Sequence, residues 1–156
     1  MTDVVEVAES RAYPVTVEGT FDRLLPLPLE QLFRHWFGPL PPVRGTEGEL
    51  PWGTPGQTRT VRTADGGTMR ERLVVVDRPR RFTYELTDFT GALKPVVSRV
   101  DGAWTVDPAG TGARVTWSWA LHPAGRVGAL ALVPIARLWP GYARAALAEL
   151  EGLLLG

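Results

Sequence analysis

The sequence predicts an α+β domain in which a curved antiparallel sheet of about six or seven strands wraps around one long C-terminal helix. Three observations predict it. Residues 127–155 are the only long stretch with helical periodicity: from Trp139 on, Trp139, Ala143, Ala146, Leu147, Leu150 and Leu154 recur at three- and four-residue steps. Almost everything upstream reads instead as short strands with short connections, the pattern of antiparallel pairing. Finally, Ala143 and Ala146 are small where the helix must face bulky rings, and the space they leave is read as a cavity. The whole chain, 1–156, reads as one such domain, long enough to bury about 70% of its unfolded surface.

The elements follow in order. Tyr13, Val15, Val17, Gly19 and Phe21 alternate with Pro14, Thr16, Glu18, Thr20 and Asp22, which predicts a first strand. Pro28 suits the first turn of a helix running to Phe37, with Leu29, Leu32, Phe33 and Trp36 on its apolar face. Gly38-Pro39 ends it. Residues 38–56 read as a Pro/Gly-rich loop, either a surface loop pinned by Trp52 or a lid over a cavity mouth.

Residues 57–63 and 68–77 predict a hairpin around Ala64-Asp65-Gly66-Gly67. Its register follows from parity. A two-residue loop mixes core and solvent faces. A three-residue loop with Gly66 in the left-handed position pairs Val61 with Met69 and Arg59 with Glu71. One face then carries Val61, Met69, Leu73 and Val75, and the other Arg62, Arg70 and Arg72. Arg81–Thr87 is the next strand, with Phe82, Tyr84 and Leu86 on one side. Residues 88–95 form a loop. Val96–Val106 is a strand with a bulge at Asp101-Gly102, and 107–112 is a tight turn. Arg114–His122 is the last strand, with Val115, Trp117, Trp119 and Leu121 on one face. Pro134 and Pro140 predict kinks or a broken start in the long helix.

These segments resemble a known family. Pro28–Phe33, Pro55–Val61, Asp65-Gly66, Glu71–Leu73, Asp77–Pro79 with Phe82–Tyr84, and Gly112–Trp117 are similar to the opening helix, central hairpin and later strands of the START-like (SRPBCC) superfamily, in its polyketide cyclase/dehydrase branch. The resemblance covers nearly the whole chain through loose, mainly structural motifs. It implies a helix-grip fold with a hydrophobic cavity between sheet and helix. It also implies a ligand such as a lipid, sterol, polyketide or plant hormone, and in some members cyclisation or dehydration. No catalytic signature of the family transfers residue by residue.

Composition narrows the chemistry. There is no cysteine, hence no thiolate nucleophile or thiolate metal site, and the missing thiols fit a cytoplasmic location. The 17 basic and 17 acidic residues balance, which removes a global pull toward nucleic acid or anionic membrane. The acidic N-terminus does not read as a signal peptide, and the apolar run 127–139 is too short to span a bilayer. With His35 and His122 the only imidazoles, no metal site is expected, and no phosphate loop, dinucleotide fingerprint or nucleophile elbow calls for a cofactor. Arg70, Arg72, Arg78, Arg80 and Arg81 read as a basic strip, solvated in a neutral protein.

The candidate ligand-binding residues are Arg59, Val61, Met69, Glu71, Leu73, Tyr84, Trp104, Trp117, Trp119, Trp139, Ala143 and Ala146. Arg59 and Glu71 are the candidate polar pair: Arg59 as a donor to a ligand oxygen, Glu71 as its anchor or a general base, with Tyr84 as a hydroxyl donor. The plain alternative for the pair is a cross-strand salt bridge worth at most about 1 kcal/mol if exposed. For the aromatics it is ordinary core. Three functions remain open: a binding protein for a hydrophobic small molecule, a polyketide aromatase/cyclase or dehydratase, and a protein–protein module. The first two call for a cavity of about 300 Å³ or more.

Overall fold

The structure, a computed structural model, describes residues 3–156. Seven antiparallel strands form one sheet: β1 (Val5–Tyr13), β2 (Val43–Gly48), β3 (Thr58–Thr63), β4 (Thr68–Asp77), β5 (Arg81–Thr87), β6 (Val97–Ala109) and β7 (Gly112–Pro123). Their order is β1-β7-β6-β5-β4-β3-β2. Two short helices, α1 (Val17–Leu24) and α2 (Leu29–Leu32), link β1 to β2, and α3 (Gly125–Leu155) ends the chain. This is the α+β helix-grip architecture.

The start of the chain departs from the predicted elements. The first strand is Val5–Tyr13, and the alternating segment after it folds as α1. Residues 13–21 alternate, but Val17, Thr20, Phe21 and Leu24 also repeat at helical steps, so periodicity is ambiguous over so short a run. Capping decides it: Thr16 Oγ1 accepts from Gly19 N–H at 3.1 Å. The buried Thr20, Phe21 and Leu24 form the inner face.

The predicted helix to Phe37 stops at Leu32, and Trp36 is exposed. Within 38–56, Val43–Gly48 is a strand, the sheet edge paired to β3. Its Gly45, Gly48 and charged residues conceal it from strand propensity.

The central hairpin has the predicted register, with Val61 opposite Met69 and Arg59 opposite Glu71. Beyond it, a register shift between Leu73 and Val75 changes strand parity. Val76, not Val75, therefore packs on the core. β6 runs unbroken through Asp101 and Gly102, and its irregularity lies at Val97/Arg99 instead. Gly102 serves another purpose: a Cβ there would stand 2.1 Å from Tyr84 Cζ, so its absence lets the Tyr84 ring lie flat on the neighbouring strand. α3 is continuous through Pro134 and Pro140.

The C-terminal half of α3 is fastened to β1. Tyr13 donates to the Leu147 carbonyl at 2.6 Å, Arg144 pairs with Glu9 at 3.1 Å, and Arg11 pairs with Glu151. Ala143 and Ala146 are buried in this stretch. Their small side chains bring the helix close to the sheet.

Candidate functional site

The interior is not filled throughout. A cavity of about 120 Å³ lies between the inner face of β3–β7, the first half of α3, and the segment from Leu24 to Val43. It is several times the space one buried water needs. It is also smaller than the 300 Å³ expected, and below the roughly 300–1,000 Å³ of drug-sized pockets. The reason is the aromatic stack. Trp104 and Trp117 are parallel at 5.2 Å, Trp117 meets Trp139 at 4.6 Å, and Trp119 meets Trp139 at 5.9 Å. Rings leaning on one another occupy space that rings leaning only on alanines would leave open.

Nine of the candidate residues line the cavity: Arg59, Val61, Met69, Glu71, Tyr84, Trp104, Trp117, Trp119 and Trp139. Three do not. Leu73 is fully buried in the core, and Ala143 and Ala146 belong to the closed end of α3. The alanines shorten the distance to the sheet instead of opening a gap. On the helix side the wall is Leu132, Ile135, Trp139 and Tyr142. Sequence reasoning missed the residues before Trp139, although 132, 135, 139 and 142 repeat at helical steps, because Pro134 reads as a break. Leu40, Pro41 and Val43 also line the cavity, whereas Trp52 does not. Tyr142 holds that segment, donating to the Pro41 carbonyl at 2.8 Å and stacking on Phe33 at 5.5 Å.

The wall is largely apolar; Thr63, Asp65, Thr68 and Thr90 also line it, with Asp65 Oδ1 accepting from Thr63 Oγ1 at 2.6 Å and from Gly67 N–H at 2.9 Å, and two further polar groups complete it. In the first, Arg59 Nε donates to Glu71 Oε1 at 2.6 Å, with Arg59 8% and Glu71 4% exposed. Cross-strand pairing puts the two backbones opposite each other. Burial pushes the Glu71 carboxyl above its ordinary range, and the guanidinium only partly opposes this. Trp52 covers Arg59, its ring centroid 4.0 Å from the guanidinium carbon. Gln57 shapes the loop that carries Trp52: its Oε1 accepts from Gly53 and Thr54 N–H at 2.8 Å, and its Nε2 donates to the Pro51 carbonyl at 2.9 Å.

The second group is Tyr84. Its hydroxyl accepts from Trp117 Nε1 at 2.7 Å and from Trp119 Nε1 at 2.8 Å. Burial pushes its pKa up, so it stays a neutral phenol.

The other charged candidates lie elsewhere. His35 meets Glu149 at 3.0 Å and His122 meets Asp101 at 2.8 Å, both outside the cavity. In the basic strip, Arg78 pairs with Asp22, Arg72 with Glu85 and Arg80 with Asp107. Among the described residues no group of three or more His, Asp or Glu could hold a metal ion, and no helix is long and apolar enough to cross a membrane.

Residues 4–154 match the model of the family described as polyketide cyclase/dehydrase and lipid transport. No curated protein matches the chain in sequence. Among solved structures it is similar to the major latex-like protein 151 of Panax ginseng, with 15% identity, a TM-score of 0.71, and coverage of 98% of this chain and 99% of that one. It is also similar to Ara h 8.0201, with 18% identity, a TM-score of 0.67 and 97% and 98% coverage. A third is XoxI of Bacillus cereus, with 17% identity, a TM-score of 0.65 and 97% and 96% coverage. At these identities the likeness is one of fold.

Proposed function

The chain belongs to the polyketide cyclase/dehydrase and lipid transport family, and from that membership we propose that it binds a small hydrophobic molecule between the sheet and the first half of α3. One observation carries the reading: an apolar internal space whose wall contains a buried ion pair and a buried hydroxyl. Such groups are costly to bury without a purpose and serve to orient a ligand. The space is below the usual size of ligand pockets, which limits a guest to one or two rings at most. A larger guest requires the wall around Leu40–Val43 to move outward.

Trp104, Trp117, Trp119 and Trp139 surround the space and report on its occupancy. Titration with naphthalene quenches tryptophan fluorescence with saturation at one site per chain. Val61→Phe, which adds bulk to the wall, removes the saturable phase. Native mass spectrometry of freshly purified protein reports any molecule carried along. Failure of the wild-type protein to take up any one- or two-ring probe overturns the reading.

One observation favours a second reading, an aromatase/cyclase. Glu71 is a buried carboxyl whose proton affinity is raised, and the cavity wall that holds it also holds the neutral donor Tyr84. That is an acid–base pairing suited to enolisable ketones. In that reading Glu71→Gln takes up ligand but turns nothing over; unchanged turnover sinks it.

A further inference from the structure

Tyr84 carries information about the ligand beyond its being apolar. A phenol oxygen has one proton to donate and accepts up to two hydrogen bonds. Trp117 and Trp119 both donate to it, at 2.7 and 2.8 Å, and an indole nitrogen can do nothing but donate. The acceptor capacity of Tyr84 is therefore used, and its own proton must go to another group. Among the described residues no protein acceptor takes it. The residue is 6% exposed and lines the cavity. The ring is also held in place: Gly102 leaves it a seat on β6, and Trp117 is itself packed between Trp104, on which it stacks, and the tilted ring of Trp139.

We propose that the ligand presents a neutral carbonyl oxygen to Tyr84 Oη, on a flat body of one or two rings. This rests on the cavity being a binding site. The two indoles make Tyr84 an obligate donor, so the matching ligand atom is an acceptor. A carboxylate is disfavoured, because Arg59, the only cation in the wall among the described residues, is already neutralised by Glu71 at 2.6 Å. An ammonium is disfavoured for the mirror-image reason, since the Glu71 carboxylate is engaged by Arg59 and the Asp65 carboxylate by Thr63 Oγ1 and Gly67 N–H. The stacked Trp104 and Trp117 rings supply flat walls. Ketones, aldehydes and quinones of this size fit the description.

The test compares probes that share one body: 1-tetralone, tetralin, and 1,2,3,4-tetrahydro-1-naphthoate, titrated calorimetrically. The expected result is that 1-tetralone binds about tenfold more tightly than either of the others, the worth of one buried donor gaining its acceptor. Tyr84→Phe removes that advantage, so that 1-tetralone and tetralin bind with the same affinity as each other. In case this variant does not fold, the wild-type protein supplies an independent readout. The infrared stretch of carbonyl-labelled 1-tetralone moves to lower frequency on binding, relative to its value in hexane. If none of the three probes binds, the cavity reading itself fails. If tetralin and 1-tetralone bind equally and the carbonyl band is unshifted, or if Tyr84→Phe keeps the ketone's advantage, only the assignment to Tyr84 falls.

Discussion

Strand β3 carries two arginine–glutamate pairs, one on each face, and the same chemistry behaves in opposite ways. Inward, Arg59 meets Glu71 at 2.6 Å with both side chains buried. Outward, Arg62 meets Glu47 at 3.0 Å with more than half of each side chain exposed. The inner carboxyl is pushed above its ordinary range by burial. The outer one is held below it by the hydrogen bond from Arg62. The partner is the same, so the partner does not decide the direction. Water does. An exposed carboxylate keeps its hydration and gains a cation, whereas a buried one gives up hydration that the cation does not fully restore. The inner pair is thus a poor device for stability.

The largest effect follows from breaking the inner pair on one side only. Glu71→Ala leaves the Arg59 guanidinium buried beneath Trp52 without a counter-charge and costs about 3–5 kcal/mol. Replacing both residues, as Arg59→Met with Glu71→Leu, removes both charges and returns stability to the wild-type value or above it. Urea denaturation of the three proteins measures this. A double variant as unstable as the single one would mean that the pair holds the fold together, and the contrast between the two faces would collapse.

A smaller effect, in pH dependence, sharpens the comparison. Glu71 has a folded pKa above its ordinary value of 4.5. As pH rises above 4.5 the unfolded chain releases this proton first, so the folded state binds more protons and stability falls until the folded pKa is passed. Glu47 has a folded pKa below 4.5, so its contribution is present above 4.5 and is lost as pH falls below it. Denaturation midpoints between pH 3 and pH 8 (roughly spanning both windows) are therefore expected to differ between variants. Glu71→Gln removes a loss of stability with rising pH. Glu47→Gln removes a loss with falling pH. Slopes of the same sign for the two sites would show that burial is not what separates them.

The sequence made the inner pair visible because strand parity is a strict rule. Once Gly66 sets the loop, Arg59 and Glu71 must face each other, and the apolar pattern chooses which side is inner. Trp117, Trp119 and Tyr84 were readable on the same grounds. What parity does not carry is where two layers touch. Ala143 and Ala146 look the same in sequence whether they line a gap or close one, and only the ties from Tyr13, Glu9 and Arg11 to α3 reveal that they close it. Gly102 looks like a bulge until the Tyr84 ring is seen lying on it. β2 and α1 were hidden for a simpler reason: each is short, and local preference over so few residues is overruled by pairing and by caps.

The smallest expected effect completes the comparison from outside. Arg62→Ala removes the partner of Glu47 on the solvent face, where either charge left alone is hydrated. Its urea midpoint at neutral pH is expected to match wild type within error, and so is its affinity for 1-tetralone, because no atom of the cavity wall moves. The one change expected is in Glu47, whose titration returns upward toward its ordinary value once the hydrogen bond that lowered it is gone. Carbon-detected NMR titration of the glutamate carboxyls follows this at single-residue resolution. A clear loss of stability in Arg62→Ala would place the outer pair among the interactions that hold β2 on the sheet edge, and exposure would no longer account for its difference from the inner one.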